Sequence, residues 1–225
     1  MGLENNFNQS TQSPGTEDKS VLEKKQKEWD EKLKNADRAV DGLGLEMDEN
    51  IKEAVVALVS NGFNTVGSCG GHFEEEERTA RLPWIQFAYE NEPTYRYVGE
   101  KEIREEIMSK YSLKSEREIF LSKTEAGKEY YSRTGDCENS PEWEAWSQKN
   151  EKLGKDISIL LSEFYENRMS NCKMIIDRAY PAWVICPDDK ILENKSLEEQ
   201  KEILLETQKE FDLFAKFLKE KYFKS

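Results

Sequence analysis

Phe63-Asn64-Thr65-Val66-Gly67-Ser68-Cys69-Gly70-Gly71-His72, followed after an acidic run by Leu82-Pro83-Trp84-Ile85-Gln86-Phe87-Ala88-Tyr89, decides the fold class. Phe63 to Val66 is short, apolar and β-favouring, so it reads as a strand that enters a Gly-rich turn. Residues 82–89 alternate as a strand does, and Pro83 sits at the start, where a ladder tolerates it. Upstream, Asp48 is a good N-cap and Glu49 adds charge at the positive end of a helix. Ile51, Val55, Leu58 and Val59 form its apolar stripe, and Asn61-Gly62 stops it. Helix, strand, glycine turn and strand in this order predict an α+β protein.

The flanks extend the pattern. Residues 1–18 are polar and contain the Pro14-Gly15 breaker, which predicts a disordered tail before a single α+β domain over 19–225. Ser20 with Glu23 has the form of a capping box, leading a helix with Leu22, Trp29, Leu33, Ala36 and Val40 on one stripe and Gly42 and Gly44 at its end. Ile103, Ile107 and Tyr111 share a helical face, and Ser115 with Glu118 repeats the capping signature. Ser140-Pro141 caps a long helix with Trp146, Leu153, Ile157, Leu160 and Phe164 inward. Lys173 to Asp177 and Ala182 to Cys186 read as strands. Ser196 with Glu199 caps a last helix whose inward residues are Leu204, Phe211, Phe214, Leu218 and Tyr222. Arg81-Leu82-Pro83-Trp84-Ile85 and Arg178-Ala179-Tyr180-Pro181-Ala182-Trp183-Val184 echo each other as Pro-led strands carrying a Trp. The expected architecture is a small sheet of about four strands packed by charged amphipathic helices in two layers.

Charge bounds the partners. The 225 residues carry a formal charge of -13, with 36% apolar and 35% charged residues. Such a surface repels phosphate backbones, and no Lys/Arg-rich run stands out, which disfavours nucleic acid. Aromatics at 11% are too many for a disordered chain. No window approaches 18 consecutive apolar residues, so no membrane span is expected. The first residues lack a basic n-region and an apolar h-region, which predicts a cytoplasmic protein. Cys69, Cys137, Cys172 and Cys186 show no paired short spacing and read as free thiols.

The loop 67–72 gathers the chemistry. Glycines at 67, 70 and 71 permit a sharp turn that displays Ser68, Cys69 and His72, the chain's one histidine. Three chemical readings compete. Cys69 is a nucleophile or redox thiol, with His72 lowering its pKa as a catalytic partner. Alternatively Cys69 and His72 are metal ligands, with zinc the fitting ion and Cys186 the best outside ligand. Or the turn binds an anion or small ligand through backbone amides, with Ser68, Gly70, Gly71, Trp84 and Arg178 as contacts. Plain packing competes with all three, since a free cysteine is often simply a buried apolar group. The acids Glu74 to Glu77 read as a solvated loop, and Trp84 and Trp183 as core. Arg178 in a strand calls for a carboxylate or an anionic ligand beside it. A non-catalytic interaction module is the alternative for the whole chain, using the stripes at Trp29 and at Phe211, Phe214 and Leu218. The partner on these readings is a small molecule or a protein.

Met47 to Leu58, Asn61-Gly62-Phe63-Asn64-Thr65, Ser68-Cys69-Gly70-Gly71-His72 and Pro83-Trp84-Ile85 together resemble a family of uncharacterised bacterial proteins. Its members carry an Asp-led helix, a Ser-Cys-Glu-Gly-His run and a Pro-Trp strand; Gly70 stands where that family has Glu. The resemblance covers residues 41–89 and implies a bacterial protein with a site at this loop, without an activity. A fainter similarity links Ser68, Cys69 and Gly71 to the tRNA wybutosine-synthesis methyltransferases, whose Ser-Ser-Cys-Ser-Gly-Arg run follows a helix and a short strand. Their Arg is His72 here. That similarity implies an S-adenosylmethionine-dependent methyltransferase-like protein, but the basic RNA-binding surface it requires is missing from the sequence.

Overall fold

A computed structural model describes residues 16–38, 46–76 and 78–225. These form six α-helices, a four-stranded antiparallel sheet and a two-stranded ribbon, with 57% helix and 15% strand, so the α+β class holds. The helices are α1 (Thr16–Ala36), α2 (Glu49–Ser60), α3 (Glu100–Tyr111), α4 (Glu125–Thr134), α5 (Pro141–Tyr165) and α6 (Leu197–Lys224). The strands are β1 (Thr65–Cys69), β2 (His72–Glu74), β3 (Thr79–Arg81), β4 (Trp84–Phe87), β5 (Met174–Ala179) and β6 (Ala182–Pro187). The larger sheet runs β1-β4-β6-β5, and β2 pairs with β3.

The chain divides into two compact units. One holds residues up to 62, 68–84 and 187–225, and the other holds 63–67 and 85–186. In the first unit α1, α2 and α6 pack together. Trp29, Ile51, Leu58, Phe211, Phe214 and Leu218 are its fully buried large side chains, each worth about 1.5–3 kcal/mol of transfer free energy. The α6 stripe expected from sequence is buried throughout, and Ser196 with Glu199 makes the capping box. In the second unit α5 lies against the β5–β6 hairpin. The indole N–H of Trp183 donates to the carbonyl of Asn150 at 3.0 Å, and the Asn150 amide donates to the carbonyl of Pro181 at 2.8 Å. The echoed segments are neighbours: β4 and β6 are antiparallel, with Phe87 opposite Trp183 and Ile85 opposite Ile185.

Several elements depart from expectation. The first helix starts at Thr16 and runs through Ser20, because serine inside a helix costs only a few tenths of a kcal/mol. The helix therefore takes in 16–18, which the sequence assigned to the tail. The rest of that tail, and Val40, Gly42 and Gly44, fall outside the described residues. Leu22 and Val59 face solvent rather than the core. The first strand begins at Thr65 and carries on to Cys69, so Ser68 and Cys69 lie in β1 itself. The acidic stretch is not all loop: His72 to Glu74 pairs with Thr79 to Arg81 as a hairpin, with Glu75 and Glu76 in the turn. Ser115 and Glu118 cap only a 3-10 turn, Glu116–Phe120.

One buried polar network organises the second unit. Glu100 accepts from the amide of Tyr97 at 2.9 Å, from Arg104 Nε at 3.0 Å and from the Tyr130 hydroxyl at 2.5 Å. Arg104 reaches on to Glu116 at 2.9 Å and the carbonyl of Thr94 at 3.1 Å. Every partner is satisfied, which is the condition for burying such a pair.

Candidate functional site

Asp48 stands at the N-cap position of α2, but its side chain does not cap the helix. Its Oδ2 instead accepts from the backbone N–H of Gly70 at 2.7 Å. Asn50, in the first turn of the same helix, donates from Nδ2 to the Gly70 carbonyl at 2.8 Å. Gln208 of α6 donates to the carbonyls of Gly70 at 2.9 Å and Gly71 at 3.0 Å. The turn is thus held from two helices by side-chain amides and one carboxylate.

Both glycines are needed on steric grounds. Gly71 has φ +77°, and a Cβ there would lie 2.9 Å from the Arg81 carbonyl oxygen and from Pro83 Cδ. Gly70 is buried, and a Cβ on it would meet Asn50 Oδ1 at 1.8 Å and Asp48 Cβ at 2.8 Å.

The turn brings Cys69 and His72 together. Sγ lies 3.8 Å from Nδ1, and the Gly71 amide donates to Sγ at 3.4 Å. On the far side of the ring, Nε2 is 3.1 Å from Glu74 Oε1. Arg81, opposite His72 in the ribbon, places Nε 3.4 Å from the same oxygen. The His72 side chain is 57% exposed, so the array opens to solvent. Glu74, expected in a solvated loop, is instead the third member of a line Cys69–His72–Glu74. Period-two spacing would have found it, since residues 72 and 74 of a strand share a face.

The thiol is not an activated one at rest. Burial pushes the Cys69 thiol up, the Gly71 amide pulls it partly back, and the Asp48 and Glu74 carboxylates push it up further, leaving it above the ordinary thiol value. The imidazole is not among the main influences on it.

The other sequence candidates have surroundings of their own. Ser68 neighbours Cys69 in an extended strand, so the two side chains point to opposite faces. The Gly70 and Gly71 amides donate to Asp48 and Cys69, which leaves neither as a free donor for an anion. Trp84 is half-buried at the start of β4. Arg178 pairs with the Glu151 carboxylate and lies 4.2 Å from the centre of the Trp183 ring. That carboxylate accounts for the arginine without an anionic ligand. Cys186 is in β6, and among the described residues no three His, Cys, Asp or Glu side chains are gathered to hold a metal ion. No helix among the described residues is long and apolar enough to cross a membrane.

The chain matches no family model, no curated protein and no solved structure.

Proposed function

We propose that this protein is a thiol-dependent acyl-transfer enzyme in which Cys69 is the nucleophile, His72 the general base and Glu74 the group that orients the base. The line from Sγ to Nδ1 and from Nε2 to Oε1 carries this reading. A carboxylate only accepts hydrogen bonds, so Glu74 favours the tautomer with hydrogen on Nε2. With the ring neutral, the Nδ1 lone pair then faces the thiol, within reach of a sulfur hydrogen bond.

The raised thiol value sets the order of events. Cys69 rests as S–H, and the proton leaves as the sulfur attacks. Sγ bonds to a carbonyl carbon, the π pair moves to oxygen and the thiol proton passes to Nδ1. Collapse of the adduct restores the C=O, breaks the bond to the leaving group and leaves a thioester on Cys69. A basic leaving group takes the proton back from Nδ1; a weakly basic one departs as the anion, and Nδ1 gives its proton to solvent. Water, deprotonated by Nδ1, then releases the acid and regenerates the thiol. With both glycine amides engaged, the adduct oxygen has no preformed pair of backbone donors, and one such donor is worth about 10²–10³ in rate. This favours activated esters and thioesters over unactivated amides.

Incubation with p-nitrophenyl acetate, followed by intact mass and peptide mapping, tests the assignment. An acetyl group on Cys69 ahead of Cys137 and Cys186, the other partly exposed thiols, is the expected result. Acetylation of Cys137 or Cys186 at an equal or greater rate would overturn it.

A further inference from the structure

The ribbon next to the thiol has one closed edge and one open edge. On β3, the Ala80 N–H donates to Gln200 Oε1 of α6 at 3.1 Å, and the Thr79 hydroxyl donates to the same oxygen at 3.3 Å. The Ala80 amide therefore points away from β2. In an antiparallel pair, residues alternate between exchanging both hydrogen bonds and exchanging none. Phe73, opposite Ala80, is thus in the non-bonded class, while His72–Arg81 and Glu74–Thr79 exchange the ladder bonds. The N–H and C=O of Phe73 are then directed outward from β2, and among the described residues no group outside the ribbon hydrogen-bonds to either. An edge with a free donor and acceptor is a template for another strand. This edge lies one residue from His72 and four from Cys69.

Charge selects the strand. Glu75 and Glu76 in the adjoining turn are exposed and form no ion pair among the described residues. Glu74 of β2 and Asp48 behind the turn add to the same sign; Arg81 offsets Glu74. Arg78 of the turn and Lys201, 4.6 Å from the centre of the Phe73 ring, are the opposing cations, set against a chain of formal charge -13.

We infer that β2 receives an extended, lysine- or arginine-rich peptide segment as a third strand, and that this segment carries the electrophile to Cys69. The inference rests on the thiol reading for its chemistry, but the docking step stands on Phe73 and is measured separately. The Phe73 amide and carbonyl supply the backbone pairing, and the acidic turn supplies the preference for basic side chains.

The test uses the full chain carrying Cys69→Ser, so that binding is read without thiol chemistry. A fluorescein-labelled peptide of about seven alternating valines and lysines is titrated by anisotropy at low salt. Saturable binding is expected, lost when alternate peptide nitrogens are methylated and absent for a valine–glutamate peptide of equal length. Phe73→Pro removes the outward N–H while leaving the β2–β3 ladder its donors, and is expected to weaken binding about two- to tenfold. Glu75→Lys with Glu76→Lys leaves the backbone untouched and is expected to weaken it too. Equal binding of the methylated or the acidic peptide, or no binding at all, would overturn the inference. If the peptide binds but wild-type Cys69 fails to react with p-nitrophenyl acetate, the docking edge stands and the thiol reading falls.

Discussion

The carboxylate of Asp48 accepts a hydrogen bond from the amide of Gly70 at 2.7 Å, so the start of α2 holds the turn between β1 and β2. A residue that reads as a helix cap is spent on the loop instead. Burial does most to push the Cys69 thiol up, and the Asp48 carboxylate adds to it, so one side chain both shapes the turn and favours the protonated sulfur.

Asp48→Asn separates these two roles. Its carbonyl oxygen still accepts from Gly70, while the negative charge beside the thiol is gone. We expect iodoacetamide to modify Cys69 faster in the variant at pH 8, with the rate–pH curve displaced to lower pH. An unchanged curve would mean that the carboxylate does not govern the thiol.

The same shift has a stability consequence with a definite sign. The folded thiol titrates above the unfolded one, so in the window between them the folded chain binds the extra proton. Its contribution is fully present below the unfolded value, about 8.5, and is lost as pH rises through the folded value. Urea midpoints for wild type should therefore fall more steeply above about pH 8.5 than those of Cys69→Ser. Parallel curves would contradict the shift.

Gly70→Ala should cost about 1–3 kcal/mol, because its Cβ would collide with Asn50 Oδ1 and sit 2.8 Å from Asp48 Cβ. Gln208→Ala removes donors to two loop carbonyls and should cost about 1–3 kcal/mol. Urea unfolding measures both, and a loss under about 0.5 kcal/mol in either would show that the clamp is slack.

The Glu100 network makes an independent prediction for the second unit. Burial pushes the Glu100 carboxyl up, but hydrogen bonds from Tyr130, the Tyr97 amide, Arg104 and the Arg96 amide more than offset it, holding it below the usual carboxylate range. Its stabilisation is present above the unfolded value, about 4.3, and is lost as pH falls through the folded value. Arg104→Ala leaves that carboxylate buried without its cation and should cost about 3–5 kcal/mol at neutral pH. Acid and urea titrations of the variant check this; a stability within 1 kcal/mol of wild type would exclude a structural role for the pair.

Periodicity carried much of the fold. The α6 stripe, the Ser140-Pro141 start of α5 and the Ser196–Glu199 box are local signals, and each appears where the residues place it. On α5, Trp146, Ile157 and Phe164 are buried as expected, and two positions are displaced by one residue. Gly154 and Leu161 are buried where Leu153 and Leu160 were expected, because a glycine carries no hydrophobic signal. A Cβ at 154 would lie 2.4 Å from the Trp183 ring, so the close approach depends on a partner 29 residues away. The β2–β3 ribbon was hidden because a three-residue strand with a glutamate reads as loop. At the site, Cys69 and His72 were legible from spacing alone. Glu74 needed the strand period, and Gln208 could only come from the packing of α6, more than 130 residues along the chain.

The most direct test of the thiol account is the acylation rate of Cys69 by p-nitrophenyl acetate at pH 7.5, in wild type and His72→Ala. The account predicts a loss of about 10²-fold or more without displacement of the acyl group to another cysteine. Equal rates in the two proteins would contradict it, leaving Cys69 as a plain thiol beside a histidine.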